Sequence, residues 1–260
     1  MALRVLVTRP EGEAASWLQG LQAAGFVAET LPLIAVGPVA DTAALRQAWA
    51  TWADWQAVMF VSVPAVRHFF AQRPPRVDLS TTPCWAPGPG TRKALRAEGV
   101  PESALRSPDP EAGQFDSEAL WAQVGAAVQA ARPLLIVRGQ DDQAKPDPAG
   151  QGRDWLSEQL QARGVPVQRL AAYARQGPAW TAPMMERARH AASDGSIWLL
   201  SSYQGLQHLQ RLLPQQDWSS ARALATHPRI GETARAMGWG EVRLTRPLLP
   251  DVVASLESWS

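Results

Sequence analysis

The chain has a single cysteine, Cys84, so it can form no internal disulfide and no thiolate-based zinc site. Lysine is nearly absent: Lys93 and Lys145 stand alone among arginines. Arginine suits bidentate carboxylate binding, although high-GC coding gives the same bias. The formal net charge is +1, with no basic tail and no run of five like charges, which argues against nucleic acid as a partner. The four histidines, His68, His190, His208 and His227, show no metal-ligand spacing. No serine sits in a G-x-S-x-G elbow, and no Walker A spacing occurs. GPGTRKALRAEG (88–99 from Gly88) places Lys93 where a dinucleotide fingerprint needs its third glycine. The acidic residue about twenty positions on, Asp109, falls in a loop rather than at a strand end. There is no long apolar run, and MALRVLVTRP enters a strand without an export signature. A cytoplasmic protein without membrane contact is expected.

What is present is a duplication. Residues 3–33 resemble 134–170. Residues 57–69 (AVMFVSVPAVRHF) resemble 197–209 (IWLLSSYQGLQHL), which pairs Ser62 with Ser202 and His68 with His208. Residues 86–99 (APGPGTRKALRAEG) align without gaps on 225–238 (ATHPRIGETARAMG). Two homologous halves imply two similar lobes with a cleft, where ligands usually bind.

At 260 residues the chain is long enough for one or two domains with real cores. Short apolar runs alternate with helical periodicity. VLV (5–7), VMFVS, CWAP, LLIVR, VQRLAAYAR, IWLLSS, ALATH and VRLT predict strands; 64–72, 90–98, 117–130, 153–163, 203–213, 229–237 and 250–258 predict helices. FVAETLPLIAV predicts one extended segment. This alternation is the pattern of an α/β fold with parallel sheets flanked by helices. Residues 101–117 and 139–152 predict two long loops, the second an insertion rich in Pro and Gly. Of the twelve tryptophans, Trp17, Trp49, Trp52, Trp121 and Trp155 fall on amphipathic helices and predict core anchors. Cys84, beside Trp85 in a strand, predicts a buried inert thiol. His68 and His208, at equivalent helical positions, predict packing or capping.

In such folds ligands sit beyond the carboxyl ends of the strands. The polar signals fall there: Thr8-Arg9-Pro10, Ser62, Gly88-Pro89-Gly90-Thr91, Arg138-Gly139, Ser201-Ser202 and Thr226-His227-Pro228-Arg229. Amides at helix starts, hydroxyls and guanidinium groups suit a flexible, multiply anionic molecule.

The order of VLVTRP (5–10), FVSVPAVRHFF (60–70), WAPGPGTRKALRAEG (85–99), FDSEAL (115–120), LIVRG with GRDWLSEQLQARG (135–164), LAAYAR (170–175), LLSSYQGLQHL (199–209) and ATHPRIGETARAMGW (225–239) resembles the uroporphyrinogen-III synthase family over the whole chain. The resemblance implies conversion of hydroxymethylbilane to uroporphyrinogen III without cofactor or metal, and a transient contact with the upstream bilane-producing enzyme. It implies a crossed-over topology: lobe one at 1–35 and 174–260, lobe two at 38–171, joined by a two-stranded connector at about 31–38 and 169–178. It implies Tyr173, facing the cleft, as the acid assisting hydroxide departure, the alternative being a tyrosine that fills the hinge. It implies carboxylate binding by Thr91 with Gly88 and Gly90, and by Ser62, Ser202, Thr226 and Arg229. Arg9 and Arg138 occupy equivalent strand ends as ligand contacts or structural ion pairs. One departure stands out: the counterpart of Thr91 is Ile230, and Thr226, Arg229 or Thr233 would have to replace it.

A monomer is expected, since no strand edge or apolar repeat calls for a partner. Three rivals share this architecture: an exported two-lobed binding protein, a nucleotide-sugar transferase, and a non-catalytic protein that binds a tetrapyrrole or another multiply anionic ligand.

Overall fold

The structure, a computed structural model, describes residues 3–108, 116–141 and 155–259. The chain divides into two compact units: Met1–Ala35 with Gln176–Ser260, and Val36–Arg175.

The first unit is built on a five-stranded sheet. Its strands are β1 (Arg4–Val7), β2 (Val27–Thr30), β9 (Ile197–Leu200), β10 (Arg222–Ala225) and β11 (Glu241–Leu244). Their order is β11-β10-β9-β1-β2, and every neighbouring pair is parallel. Side chains alternate across a strand, so each strand feeds two cores. Leu6, Trp198, Leu200, Ala223 and Ala225 enter one core with α7 (Ala182–Ala191), α8 (Tyr203–Leu212) and α9 (Pro228–Ala236). Val5, Val7, Ile197, Leu199 and Leu224 enter the other with α1 (Glu11–Ala23) and α10 (Leu249–Glu257). Burial on both faces is why IWLL is apolar throughout rather than alternating.

The second unit has a six-stranded sheet of β3 (Ala35–Pro38), β4 (Ala57–Phe60), β5 (Cys84–Trp85), β6 (Leu105–Arg106), β7 (Leu134–Asp141) and β8 (Val167–Gln176). Its order is β3-β8-β7-β4-β5-β6, so β3 and β8, the two segments where the chain passes between units, are neighbours. The pairs β8/β7, β7/β4, β4/β5 and β5/β6 are parallel. Val58, Phe60, Leu135 and Val137 pack against α2 (Ala43–Ala50), α3 (Val63–Phe70) and α4 (Pro89–Ala97). Ala57, Met59, Leu134 and Ile136 pack against α5 (Ser117–Val124) and α6 (Trp155–Ala162).

Several expectations are corrected. Residues 139–141 extend strand β7 and are not loop; the rest of the expected insertion, 142–152, lies outside the described residues. The expected loop 101–117 contains a 3-10 turn (Glu102–Ala104) and β6, while 109–115, with Asp109, lie outside the described residues. Helix α5 stops at Val124 and continues as a 3-10 turn (Gly125–Ala127), short of residue 130. The extended segment 26–36 is two strands broken at Leu31–Ile34. Trp52 lies in a 3-10 turn, and Trp17, Trp121 and Trp155 are half-buried lids over the cores. Helix α7 carries no apolar periodicity that predicted it, because alanines fill its buried positions.

Equivalent helices end alike in both units. Gly99 after α4 and Gly238 after α9 have φ of 88° and 87°, a left-handed turn that a side chain would strain.

Candidate functional site

Each predicted polar signal but one falls just past a strand end, and the local sequence explains how it is held there; Arg138 and Gly139 lie inside β7, which runs on to Asp141. In the second unit, Ser62 follows β4 and caps α3. Its Oγ accepts the Ala65 N–H at 3.3 Å, satisfying one of the helix's unpaired first-turn donors. The same Oγ lies 3.2 Å from the Tyr173 hydroxyl. Tyr173 sits on β8 and is only 2% exposed, within the core of the second unit. An open, solvent-facing phenol is therefore not what the fold provides.

The strand between them explains the contact. Tyr173 is paired with Gly139 of β7, just beyond a register shift at Arg138/Gly139. A side chain at Gly139 would put its Cβ 2.5 Å from Tyr173 Cζ and 2.8 Å from its Oη. Only glycine lets the phenol lie across β7. The His68 ring, on α3, completes the enclosure at 6.1 Å from the Tyr173 ring, the planes 25° apart. Burial, and then the nearby Arg67 charge, lower the His68 pKa, so this imidazole is neutral at pH 7. Arg138 is 4% exposed.

Gly88 starts α4 without a capping side chain, and Pro89 has no N–H to offer. The amides of Gly90 and Thr91 thus point out of the helix end, where an anionic oxygen is favoured. Gly90 is exposed, and the Thr91 side chain is buried in the first turn.

In the first unit, Ser202 follows β9 and caps α8, its Oγ accepting the Gly205 N–H at 3.2 Å. Thr226 is buried at the tip of β10. His227, not a bare glycine, caps α9: its Nδ1 accepts the Arg229 N–H at 3.2 Å. The Arg229 guanidinium lies 4.3 Å over the Tyr203 ring, an arrangement that orients a cation while leaving its N–H groups outward. Thr233 does not replace the missing threonine; its hydroxyl donates back to the Arg229 carbonyl at 2.8 Å. Ile230 is buried.

Arg9 follows β1. It lies 4.3 Å over Trp17 and 3.4 Å from Glu13, with its side chain 17% exposed. Its Nε is buried without an acceptor. Burial lowers its pKa, and the charge and hydrogen bond of Glu13 offset part of that. Arg9 is therefore ion-paired already.

Three features of these sites escape a reading of the sequence. The Ser62–Tyr173 contact depends on strand order. The Tyr203 platform under Arg229 depends on how two helices meet, and the capping role of His227 on its Nδ1 reaching the Arg229 N–H. Among the described residues, no three His, Cys, Asp or Glu side chains gather in a way that could hold a metal. No helix there is long and apolar enough to cross a membrane.

Comparison with known proteins gives a consistent picture. The family model described as uroporphyrinogen-III synthase HemD matches residues 15–247. Among solved structures, uroporphyrinogen-III synthetase from Helicobacter pylori is similar at 12% identity, with all of both chains covered and a TM-score of 0.60. A mutant uroporphyrinogen III synthase from the extremely thermophilic bacterium Thermus thermophilus is similar at 16% identity, over 99% of this chain and 98% of that one, with a TM-score of 0.51. These two likenesses show the fold: parallel sheets flanked by helices.

Proposed function

The chain belongs to the uroporphyrinogen-III synthase family, and from that premise we propose that it closes linear hydroxymethylbilane to uroporphyrinogen III, inverting ring D and releasing water. The family match across residues 15–247 is the observation that carries this reading. The hydroxyl of the bilane leaves, giving an electrophilic azafulvene. The substituted carbon of ring D attacks it to form a spiro intermediate, which fragments and closes again with ring D reversed.

The linear substrate cyclises unaided without inversion, so the enzyme must favour one closure over a competing one. Holding the reacting carbons in line supplies much of that preference. The substrate carries many carboxylates, and each unit offers groups that suit them. In the second unit these are the amides at Gly90 and Thr91, with Gly88 leaving the helix end open, and Arg138. In the first unit they are Ser202, Thr226, Arg229 and Arg9. Tyr173 is the source of the proton that turns the departing hydroxide into water. No cofactor takes part.

The protein works as a monomer in the cytoplasm and receives its unstable substrate in transient contact with the upstream enzyme. Light scattering at increasing concentration, with and without that enzyme, tests the monomer and the transient contact, and cell fractionation tests the compartment. The activity test is a coupled assay: generate hydroxymethylbilane in situ, add the protein, oxidise, and separate isomers I and III. Dominant isomer III is expected. Isomer I alone from folded protein would leave a tetrapyrrole-binding protein without turnover.

A further inference from the structure

Ser62 and Tyr173 belong to strands that are not neighbours, because β7 lies between β4 and β8. The phenol reaches Ser62 only by crossing β7 at Gly139, where a Cβ would stand 2.5 Å from its ring. The register shift at Arg138/Gly139 sets Tyr173 opposite that glycine. A bulge, a glycine and a helix cap thus converge on one pair of hydroxyls 3.2 Å apart. Ser202, the equivalent cap in the first unit, has no phenol at its oxygen among the described residues.

The two hydroxyls differ in access. Tyr173 is 2% exposed, and Ser62 is half-buried at the strand end. Ser62 Oγ accepts the Ala65 N–H, which leaves its own proton free to be given away and a second lone pair to receive one.

On the synthase reading above, we infer that Ser62 and Tyr173 form a proton relay in which Ser62 is the hydroxyl that meets the substrate. The C–O bond of the hydroxymethyl group breaks with its electron pair going to oxygen. That oxygen takes the Ser62 proton and leaves as water, while Tyr173 passes its phenolic proton to Ser62 Oγ. The phenolate formed balances the positive charge of the azafulvenium. When the macrocycle closes through the unsubstituted α-carbon of ring D, the proton that this carbon loses returns through Ser62 to the phenolate, and the pair is restored. Ser62 is the catalytic residue of this step, and Tyr173 and Gly139 act through it.

The test compares wild type, Ser62→Gly, Ser62→Asn, Ser62→Thr, Tyr173→Phe and the double variant Ser62→Gly/Tyr173→Phe in the isomer assay. Glycine and asparagine both start helices well, so these two variants keep the α3 cap and lose only the hydroxyl. Each is expected to lower kcat by about 100-fold, the lower end for a positioned acid, with KM within about threefold. Tyr173→Phe should fall equally, and the double variant no further, because the relay fails when either hydroxyl is missing. Ser62→Thr keeps a hydroxyl and should recover most of the rate. A purely structural role for Ser62 gives losses that multiply in the double variant, and that result overturns the relay; a Ser62→Thr variant as slow as Ser62→Gly overturns it as well. Wild-type kcat in Ser62→Gly or Ser62→Asn overturns it while leaving the synthase reading intact. Isomer I alone from the wild type overturns both.

Discussion

Replacing Gly139 by alanine probes the whole arrangement through one added methyl group. The new Cβ would lie 2.5 Å from Tyr173 Cζ, 2.6 Å from Cε2 and 2.8 Å from Oη. Carbon atoms rest at about 3.5 Å, so the ring must retreat by about 1 Å. The Ser62–Tyr173 separation is already 3.2 Å, so a shift of that size away from Ser62 carries it beyond hydrogen-bonding range. The ring cannot retreat freely, because it is packed in the core of the second unit with His68 stacked beside it. Overpacking of this kind costs about 1–3 kcal/mol. Urea unfolding should therefore show that loss, and the isomer assay a fall in kcat of about tenfold or more, with KM nearly unchanged. A Gly139→Ala protein with wild-type stability and wild-type kcat would refute the reasoning, since the phenol could then not lie where β7 leaves room for it.

Gly90→Ala is the opposite case: its Cβ would meet only Val63 Cγ2 at 3.7 Å, an ordinary contact, so stability should hold or rise by up to about 1 kcal/mol. KM should nevertheless rise several-fold, because the methyl group crowds the helix end; an unchanged KM returns Gly90 to a structural role. Cys84 is buried, which pushes its thiol up to about 12, so a thiol reagent at pH 7.5 should label the protein only after unfolding. Rapid labelling of the native protein contradicts that burial. Burial raises the Asp194 pKa, but hydrogen bonds from Ser196 and the charges of Arg187 and Arg4 outweigh it and leave the carboxyl below its ordinary value. A lowered folded pKa stabilises above the unfolded value, about 3.9, and that stabilisation is lost as pH falls through the folded value. Asp194 is exposed and its charge is screened by solvent, so Asp194→Asn should cost under about 1 kcal/mol at pH 7, and the gap to wild type should shrink below about pH 4. A gap that widens on acidification is the result that sinks this sign.

The sheets were legible because parallel strands are covered on both faces. AVMF and IWLL are wholly apolar for that reason, and every one of their residues is buried. Helix α7 was not legible: only Ala188 and Ala191 are buried on it, and alanine gives little contrast between faces. Helix α5 was read too long because the chain leaves the α-helix at Gly125. It is held to a 3-10 turn against Trp121, whose ring lies 2.9 Å from where its Cβ would be. At the site, Ser62 and Ser202 were legible as strand-end hydroxyls because a serine before an apolar helical run is also a cap. The burial of Tyr173 was not. It follows from β7 lying between β8 and β4 and from a bulge one residue long, and neither leaves a local pattern in the sequence.

The duplicated positions have kept their places and changed their partners. His68 stacks beside Tyr173, whereas its counterpart His208 is buried with Nδ1 2.7 Å from the Leu33 carbonyl, so that nitrogen carries the proton and ties α8 to the segment before β3. Gly88 leaves the end of α4 open, whereas its counterpart His227 occupies the end of α9 and turns the amide of Arg229 inward. The loss of an open amide there is matched by a new cation, the Arg229 guanidinium held on Tyr203. The second unit thus carries a hydroxyl pair able to move a proton beside an open helix end, and the first carries a capped helix end with a cation suited to hold an anion. That division fits a reaction that departs from symmetry at a single ring. One end of the bilane must lose its hydroxyl, and the other must be gripped in an orientation it would not adopt unaided. The divergence of Gly88 from His227 and of His68 from His208 gives the two units different chemistry, which a reaction that distinguishes the two ends of its substrate can use.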